Sequence, residues 1–245
     1  MYYYIFEPEK KFRRTLANRQ LRRLLFREGI TAEIATPNPA RDLAEILETA
    51  SQRKFSTIVA VGEDAFLNKV ASAFRQTEPI NRTVLGFIPY ELKGEIASFL
   101  GIANLNEAVL ALKRRRLKKI YLGKINQNYF LTTVGLTLSK PALFQLNIDG
   151  LELKTALSHL TIKRSDKLSI NFWNKNTLPH PVLGLFYWLF GKKIKPDVTV
   201  LSGRLIKIKA PSGITLEGGE IEAKTPLSVE LDNFPLQIIV LRSKI

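Results

Sequence analysis

The residues best placed for chemistry lie between Ser56 and Phe74. Thr57-Ile58-Val59-Ala60-Val61 is a β-branched apolar run, Gly62 follows at once, and Phe66, Leu67, Val70 and Phe74 then mark one side of a helix. That pattern predicts a buried parallel strand, a tight turn and a helix. In such a unit the turn lies at the carboxyl end of the strand, where backbone N–H groups and the helix dipole favour an anion. Phosphate chemistry at Gly62, Glu63 and Asp64 is therefore the first expectation. Other chemistries are harder to build. The absence of cysteine removes thiol nucleophiles, disulfides and Cys-ligated zinc, and two histidines, His159 and His180, leave little for a His-based metal site.

The elements that must position this turn can be read on either side of it. Tyr2 to Phe6 reads as a first strand, and Phe12, Leu16, Leu21, Leu24 and Leu25 mark one face of a helix that Gly29 closes. Arg13, Arg14, Arg19, Arg22, Arg23 and Arg27 occupy much of the rest of that helix. Thr31 to Ala35 is a second strand, Thr36-Pro37-Asn38-Pro39 is turn chemistry, and a helix follows over Ala40 to Ala50. Arg82 to Ile88 supplies another strand, and Asn106 to Leu112 a helix that runs into the basic stretch Lys113 to Lys119. From Ile120 the pattern changes to short strands: Ile120 to Ile125, Tyr129 to Leu138, Phe144 to Ile148, Leu160 to Lys163, Leu168 to Trp173, Val198 to Ile208 and three more near the end. The expected fold class is α/β, with a doubly wound parallel-sheet domain over residues 1–116 followed by an antiparallel, β-sandwich-like domain over 117–245.

Lys and Arg number 37 against 22 Asp and Glu, a net charge of +15. Such a balance attracts polyanions, either an acidic membrane surface or nucleic acid, and says nothing about fold. No apolar run approaches the roughly 18 residues of a spanning helix, and the amino terminus lacks the basic region and long apolar core of a secretion signal. A cytoplasmic protein is expected, with a peripheral place at the inner membrane face. Pro181 to Lys195, PVLGLFYWLFGKKIK, reads either as a buried helix or as an interfacial segment whose Trp, Tyr and Lys suit the headgroup zone.

Gly62 to Val70, GEDAFLNKV, resembles the G-G-D-G-T-x-N-E-V loop of the diacylglycerol kinase, sphingosine kinase and bacterial lipid kinase family. It keeps Gly62, Asp64, Asn68 and Val70, with Glu63, Ala65 and Phe66 in place of the second glycine, the third glycine and the threonine. Val84 to Ile102 aligns without a gap to the family's L-G-I-I-P-x-G-T-x-N-D-F-A-R-x-L-G-I, and Glu95 takes the place of the Asp. Tyr121 to Phe130 is similar to the D-L-G-x-V-N-x-x-Y-F that opens the family's second domain. The likeness covers nearly the whole chain in order. By residue it implies nucleotide contacts at Gly62, Glu63, Asp64, Ala65, Asn68 and Glu95 and at Thr36, which is either such a contact or a loop or capping residue, and Glu7-Pro8-Glu9-Lys10 stands where the family has a nucleotide-touching N-P-x-S-G turn. Ser165-Asp166-Lys167-Leu168 resembles a D-D-G-x-L turn that holds structural magnesium in some members, so Asp166 is either a metal ligand or a turn residue. Leu216 to Pro226 resembles the closing D-G-E and T-P, which makes Glu217 and Glu220 the candidate catalytic carboxylates, while Gly218 stands at the place of the family's proposed base. Kinases of NAD share the glycine loop, but no equivalent of their T-x-T-G-S-T-A-Y segment is present.

Lipid phosphorylation by ATP asks for phosphate-binding amides, a divalent ion and a carboxylate to take the hydroxyl proton. Glu63 places a carboxylate where phosphate belongs, a repulsion of about 4 kcal/mol at 4 Å and a surface-like dielectric. Ala65 adds strain of about 1 kcal/mol if that position needs a positive φ. Gly218 offers no side chain. The expectation is a catalytically impaired member of the lipid kinase fold that acts by lipid, membrane-surface or partner binding, with ATP and Mg²⁺ held weakly or not at all. The alternative is an active, divergent kinase of a lipid hydroxyl such as that of diacylglycerol, with Glu217 as a relocated base. An anionic membrane or lipid is the expected partner ahead of nucleic acid, and a homodimer stays open.

Overall fold

β-branched runs alternating with amphipathic helices build the first sheet of the computed structural model, which describes residues 2–8, 12–77, 83–173, 198–210, 213–218 and 221–241. Contacts divide the chain into two units, Met1–Leu122 with Tyr129–Thr132 and Asp232–Ile245, and Gly123–Asn128 with Thr133–Leu231.

The first unit contains β1 (Tyr2–Phe6), α1 (Phe12–Arg27), β2 (Ala32–Ala35), α2 (Leu43–Gln52), β3 (Thr57–Gly62), α3 (Asp64–Thr77), β4 (Val84–Pro89), α4 (Glu95–Leu100), α5 (Leu105–Arg114), β5 (Leu117–Ile120) and the last strand, β16 (Leu236–Ile239). Helix starts follow local chemistry: the Asp42 side chain accepts from the Glu45 N–H at 2.8 Å to cap α2, and Asn104 does the same for Glu107 at 2.9 Å on α5. Gly101, at φ 73, ends α4 in the left-handed conformation. The strand order is β2-β1-β3-β4-β16-β5, parallel from β2 to β16 and antiparallel at β5. All six residues of β3 are buried, as its unbroken apolar run requires. The chain winds outward from β1 to β2 and then in the other direction through β3 and β4. The reversal falls between β1 and β3, and the crevice at their carboxyl ends is where open α/β sheets take ligands.

The second unit is antiparallel, as the change of pattern at Ile120 predicts. Its strands are β6 (Gly123–Ile125), β8 (Thr133–Ile148), β9 (Leu151–Arg164), β10 (Leu168–Trp173), β11 (Thr199–Gly203), β12 (Leu205–Lys209), β13 (Thr215–Gly218), β14 (Ile221–Lys224) and β15 (Leu227–Leu231), and its sheet ends on the short strand β7 (Asn128–Phe130), whose Tyr129 and Phe130 count with the first unit. They are ordered β11-β10-β9-β8-β12-β15-β6-β7, with the β13–β14 hairpin joined to β8. Phe144, Leu146, Leu160, Ile162, Ile170, Ile206 and Ile208 are buried on one face. β8 and β9 are longer than the sequence suggests, 16 and 14 residues, because the irregular stretch between Thr137 and Ala142 is a register shift and not a break. Their connection is the two-residue turn Asp149-Gly150, with φ of 50° and 95°, the positive values a tight hairpin of this twist demands. His180, the Pro181 to Lys195 segment, Gly219 and Glu220 lie outside the described residues.

Candidate functional site

β3 delivers Gly62 to the crevice between β1 and β3, flanked by the carboxyl end of β1 at Phe6-Glu7 and that of β4 at Pro89-Tyr90. Backbone bonds fix the turn from both sides: the Glu7 N–H donates to the Val61 carbonyl and the Tyr90 N–H to the Gly62 carbonyl, each at 2.8 Å. Glu63 caps α3 through its carbonyl, which accepts from the Leu67 N–H at 3.0 Å. The amide of Glu63 is the group that a phosphate would be expected to meet. Here it donates to Oε2 of Glu7 at 2.9 Å. A carboxylate from the β1–α1 connection thus takes the anion position at this amide, and a phosphate oxygen there would have to displace it.

The space above Gly62 is filled as well. A Cβ at Gly62 would lie 2.6 Å from the Phe66 ring and 2.9 Å from the Glu7 carboxylate, so glycine is needed here for close packing. Phe66 stands where the family's threonine belongs and is buried. Ala65 lies in the first turn of α3 and is not among the residues with positive φ, so the strain expected of it is absent.

Asp64, the acidic residue kept from the loop motif, turns toward the other motif. Its carboxylate accepts from the backbone N–H groups of Glu95 and Ile96, the latter at 3.2 Å, and so caps α4. Gly94 makes this approach possible, because a Cβ there would come within 2.5 Å of Asp64 Oδ2. Burial pushes the Asp64 carboxyl above its ordinary value, and the two N–H bonds only partly oppose this. Its Oδ1 is buried without a hydrogen-bond partner. The Glu95 side chain is exposed at the start of α4.

Asn68 is buried on α3, and its Oδ1 accepts from the Leu131 N–H at 2.6 Å. One turn further on, Ser72 Oγ accepts from the Tyr129 N–H at 3.2 Å, and Arg75 forms a two-pronged ion pair with Asp232 beneath the rings of Tyr129 and Phe234. α3 therefore ties the 129–132 segment and the start of the last segment to the first sheet. Thr36 is exposed in the loop after β2, where Asn38 Oδ1 orders the turn by accepting from the Ala40 and Arg41 N–H groups.

Of the sequence candidates, the structure joins Gly62, Glu63, Asp64 and the Glu95 backbone at one place, sets Asn68 one turn along α3, and puts Thr36 on a neighbouring loop. Glu217 lies in the second unit, exposed on β13, paired with Glu222 of β14 and with Gly135 of β8. Asp166 is exposed at the β9–β10 turn, which Ser165 closes by donating from both its N–H and its hydroxyl to the Lys167 carbonyl. Beside it, burial lowers the Arg164 guanidinium to about 10 while the Asp166 charge opposes that shift. Among the described residues no three of His, Cys, Asp and Glu come together, so Asp166 offers a divalent ion a single carboxylate next to a buried cation, a poor fit. The residue that sequence reasoning missed is Glu7. The signal was present, since Glu7 replaces the asparagine of the family's N-P turn at the edge of the same crevice.

Residues 8–125 match the family model for the diacylglycerol kinase catalytic domain. A structure described as a diacylglycerol kinase from Bacillus anthracis strain Sterne superposes with a TM-score of 0.76 at 15% identity, covering 98% of this chain and 96% of that one. A second structure from the same strain, described only provisionally as a diacylglycerol kinase, superposes with a TM-score of 0.76 at 14% identity over the same shares of both chains. No curated protein sequence matches. Residues 8–125 thus match the diacylglycerol kinase catalytic domain model, and the chain has the two-domain lipid kinase fold of these structures.

Proposed function

We propose that this protein uses the lipid kinase fold for binding and not for phosphoryl transfer. The observation that carries the reading is the bond from the Glu63 N–H to Glu7 Oε2, 2.9 Å, at the switch point of the first sheet. Catalysis of phosphoryl transfer is positioning and charge neutralisation, and it needs those amides free for phosphate. Here one amide faces a carboxylate, Phe66 packs against Gly62, and Asp64 is engaged as the cap of α4. Gly218 adds to this, since the side chain that would take the hydroxyl proton is missing and general-base help is typically worth about 10²- to 10⁴-fold.

The partner that fits best is an anionic membrane surface. On α1, Leu16 and Phe26 are exposed, Phe26 by 87%, and both lie on the side that carries Arg19 and Arg23. An exposed aromatic ring set among arginines suits the boundary between headgroups and acyl chains. Each basic residue near such a surface is worth about 1 kcal/mol, screened by salt. No described helix is long and apolar enough to cross a membrane, so this contact would be peripheral.

A second reading, an active lipid kinase, draws on Glu217, whose exposed carboxylate adjoins the Gly218 position. Radiolabelled MgATP with diacylglycerol, sphingosine and phosphatidylglycerol separates the two. No transfer is expected from the wild type, little from Gly218→Asp, and more from Gly218→Asp combined with Glu63→Gly, Ala65→Gly and Phe66→Thr. Turnover by the wild type that Glu217→Gln abolishes would overturn the binding reading and identify Glu217 as the base.

A further inference from the structure

We infer that the outer face of the second unit's sheet carries a binding site for a phosphate-class anion. The register brings two rows of polar side chains together on that face, since residues opposed across antiparallel strands point the same way. One row is Lys209 on β12, Gln145 on β8 and Lys154 on β9; the next is Lys207, Asn147 and Glu152. These six side chains line a hollow of about 260 Å³, room for a phosphate bearing a small substituent.

The chemistry of the lining is that of an anion site. Three lysines line it, and none of them forms an ion pair among the described residues, whereas Lys113 and Lys124 elsewhere on the surface are paired with Glu28 and Glu230. Asn147 Oδ1 accepts from the Gly150 N–H at 3.1 Å, which leaves its amide N–H₂ to donate. Gln145 adds a second amide between two lysines. Glu152 is the one acidic group in the hollow, at the end of the Lys207 row. Like charges placed around an unfilled hollow repel one another, and an anion bridging them removes that cost. The strands beneath are long and their inner face is buried, so the lining is held on a rigid base. This site lies wholly within the second unit and does not depend on the turn after β3.

Calorimetric titration of the full chain with sodium pyrophosphate at two ionic strengths tests it. Binding that weakens with salt is expected, about fivefold weaker in Lys207→Gln and about 20-fold or more in Lys207→Gln/Lys209→Gln, with Glu152→Gln binding more tightly than wild type. The double variant Lys113→Gln/Lys119→Gln, with the same change in net charge at another place, should bind within about twofold of wild type. Sedimentation with vesicles of phosphatidic acid in phosphatidylcholine identifies the source. With the α1 contact removed throughout by Arg19→Gln/Arg23→Gln/Phe26→Ser, capture lost on adding Lys207→Gln/Lys209→Gln makes the ligand a lipid headgroup, and no capture, or capture retained, while pyrophosphate binding depends on the two lysines makes it a soluble phosphate ester. No pyrophosphate binding by the wild type, or equal losses in the two double variants, would overturn the assignment.

Discussion

The turn after β3 and the lysine face of β8, β9 and β12 treat their polar groups in opposite ways. At the turn, the Glu63 amide donates to Glu7, the Gly62 carbonyl accepts from Tyr90 and Asp64 Oδ2 accepts from Ile96, while Asp64 Oδ1 alone stays without a partner. On the sheet face, Lys154, Lys207 and Lys209 have no carboxylate partner among the described residues. The difference follows from burial. A polar group shut into a crevice must pair with the chain or lose several kcal/mol, whereas one on an open face is satisfied by water until a ligand arrives. A ligand at the turn must break internal bonds. One on the sheet face breaks none.

The largest effect expected from this contrast concerns ion pairs. Asp232 is buried and Arg75 half-buried, their side chains 5% and 14% exposed, and Asp232 also donates its N–H to the Leu122 carbonyl. Arg75→Ala should destabilise the first unit by about 3 kcal/mol in chemical denaturation, because Asp232 is left as an uncompensated buried charge. Lys113→Gln, which removes an exposed partner of Glu28, should change stability by less than about 1 kcal/mol. Similar losses for the two variants would erase the distinction between closed and open polar groups.

Next in size is Gly62→Ala. The added Cβ meets Phe66 and Glu7 below 3 Å, so a loss of about 2 kcal/mol is expected, readable as a fall in the thermal midpoint. A silent substitution would show that the crevice has room for the added methyl group.

A smaller effect separates the regions by sign. Asp149, at the β8–β9 turn, accepts from the Arg204 and Leu205 N–H groups, which hold its carboxyl below the ordinary value. A lowered carboxyl contributes stability above its unfolded pKa of about 4, and loses it as pH falls through the folded value. Asp149→Asn should therefore be less stable than wild type at neutral pH, with the gap closing in acid. Asp64 is raised by burial, so the folded state prefers its protonated form; its favourable contribution is complete below about pH 4 and is lost as pH rises through the folded value. Asp64→Asn should match or exceed wild-type stability at neutral pH and lose that advantage in acid. Parallel pH profiles of thermal unfolding for the two variants would contradict this.

Much of the architecture was legible in the sequence. The β-branched runs at Tyr2 to Phe6 and Thr57 to Val61, with helix patterns after them, carry the parallel sheet because a strand covered on both faces leaves an unbroken apolar run. The tie from Asp232 through β16 was not legible, since Leu236–Ile239 is only four apolar residues and nothing local says which sheet receives it. The Asp149-Gly150 turn was readable as hairpin chemistry, but Glu152, Lys154 and Lys163 on the outer face disguised the length of β9. At the site, the loss of glycines and the retention of Asp64 could be read, but the use to which they are put could not. Spacing shows that Asp64 lies near a turn; only the fold shows it capping α4, and only the β1–β3 register brings Glu7 onto the Glu63 amide.

That contact is tested most directly by the thermal midpoint of the wild-type protein with and without millimolar MgATP. A ligand present at 100 times its dissociation constant adds about 2.7 kcal/mol, worth several degrees in a chain of this size, and one far below its constant adds almost nothing. A change within about 1 °C is expected, whatever the magnesium concentration. A rise of several degrees that Asp64→Ala abolishes would contradict it, by showing that phosphate displaces Glu7 and is held at the turn after β3.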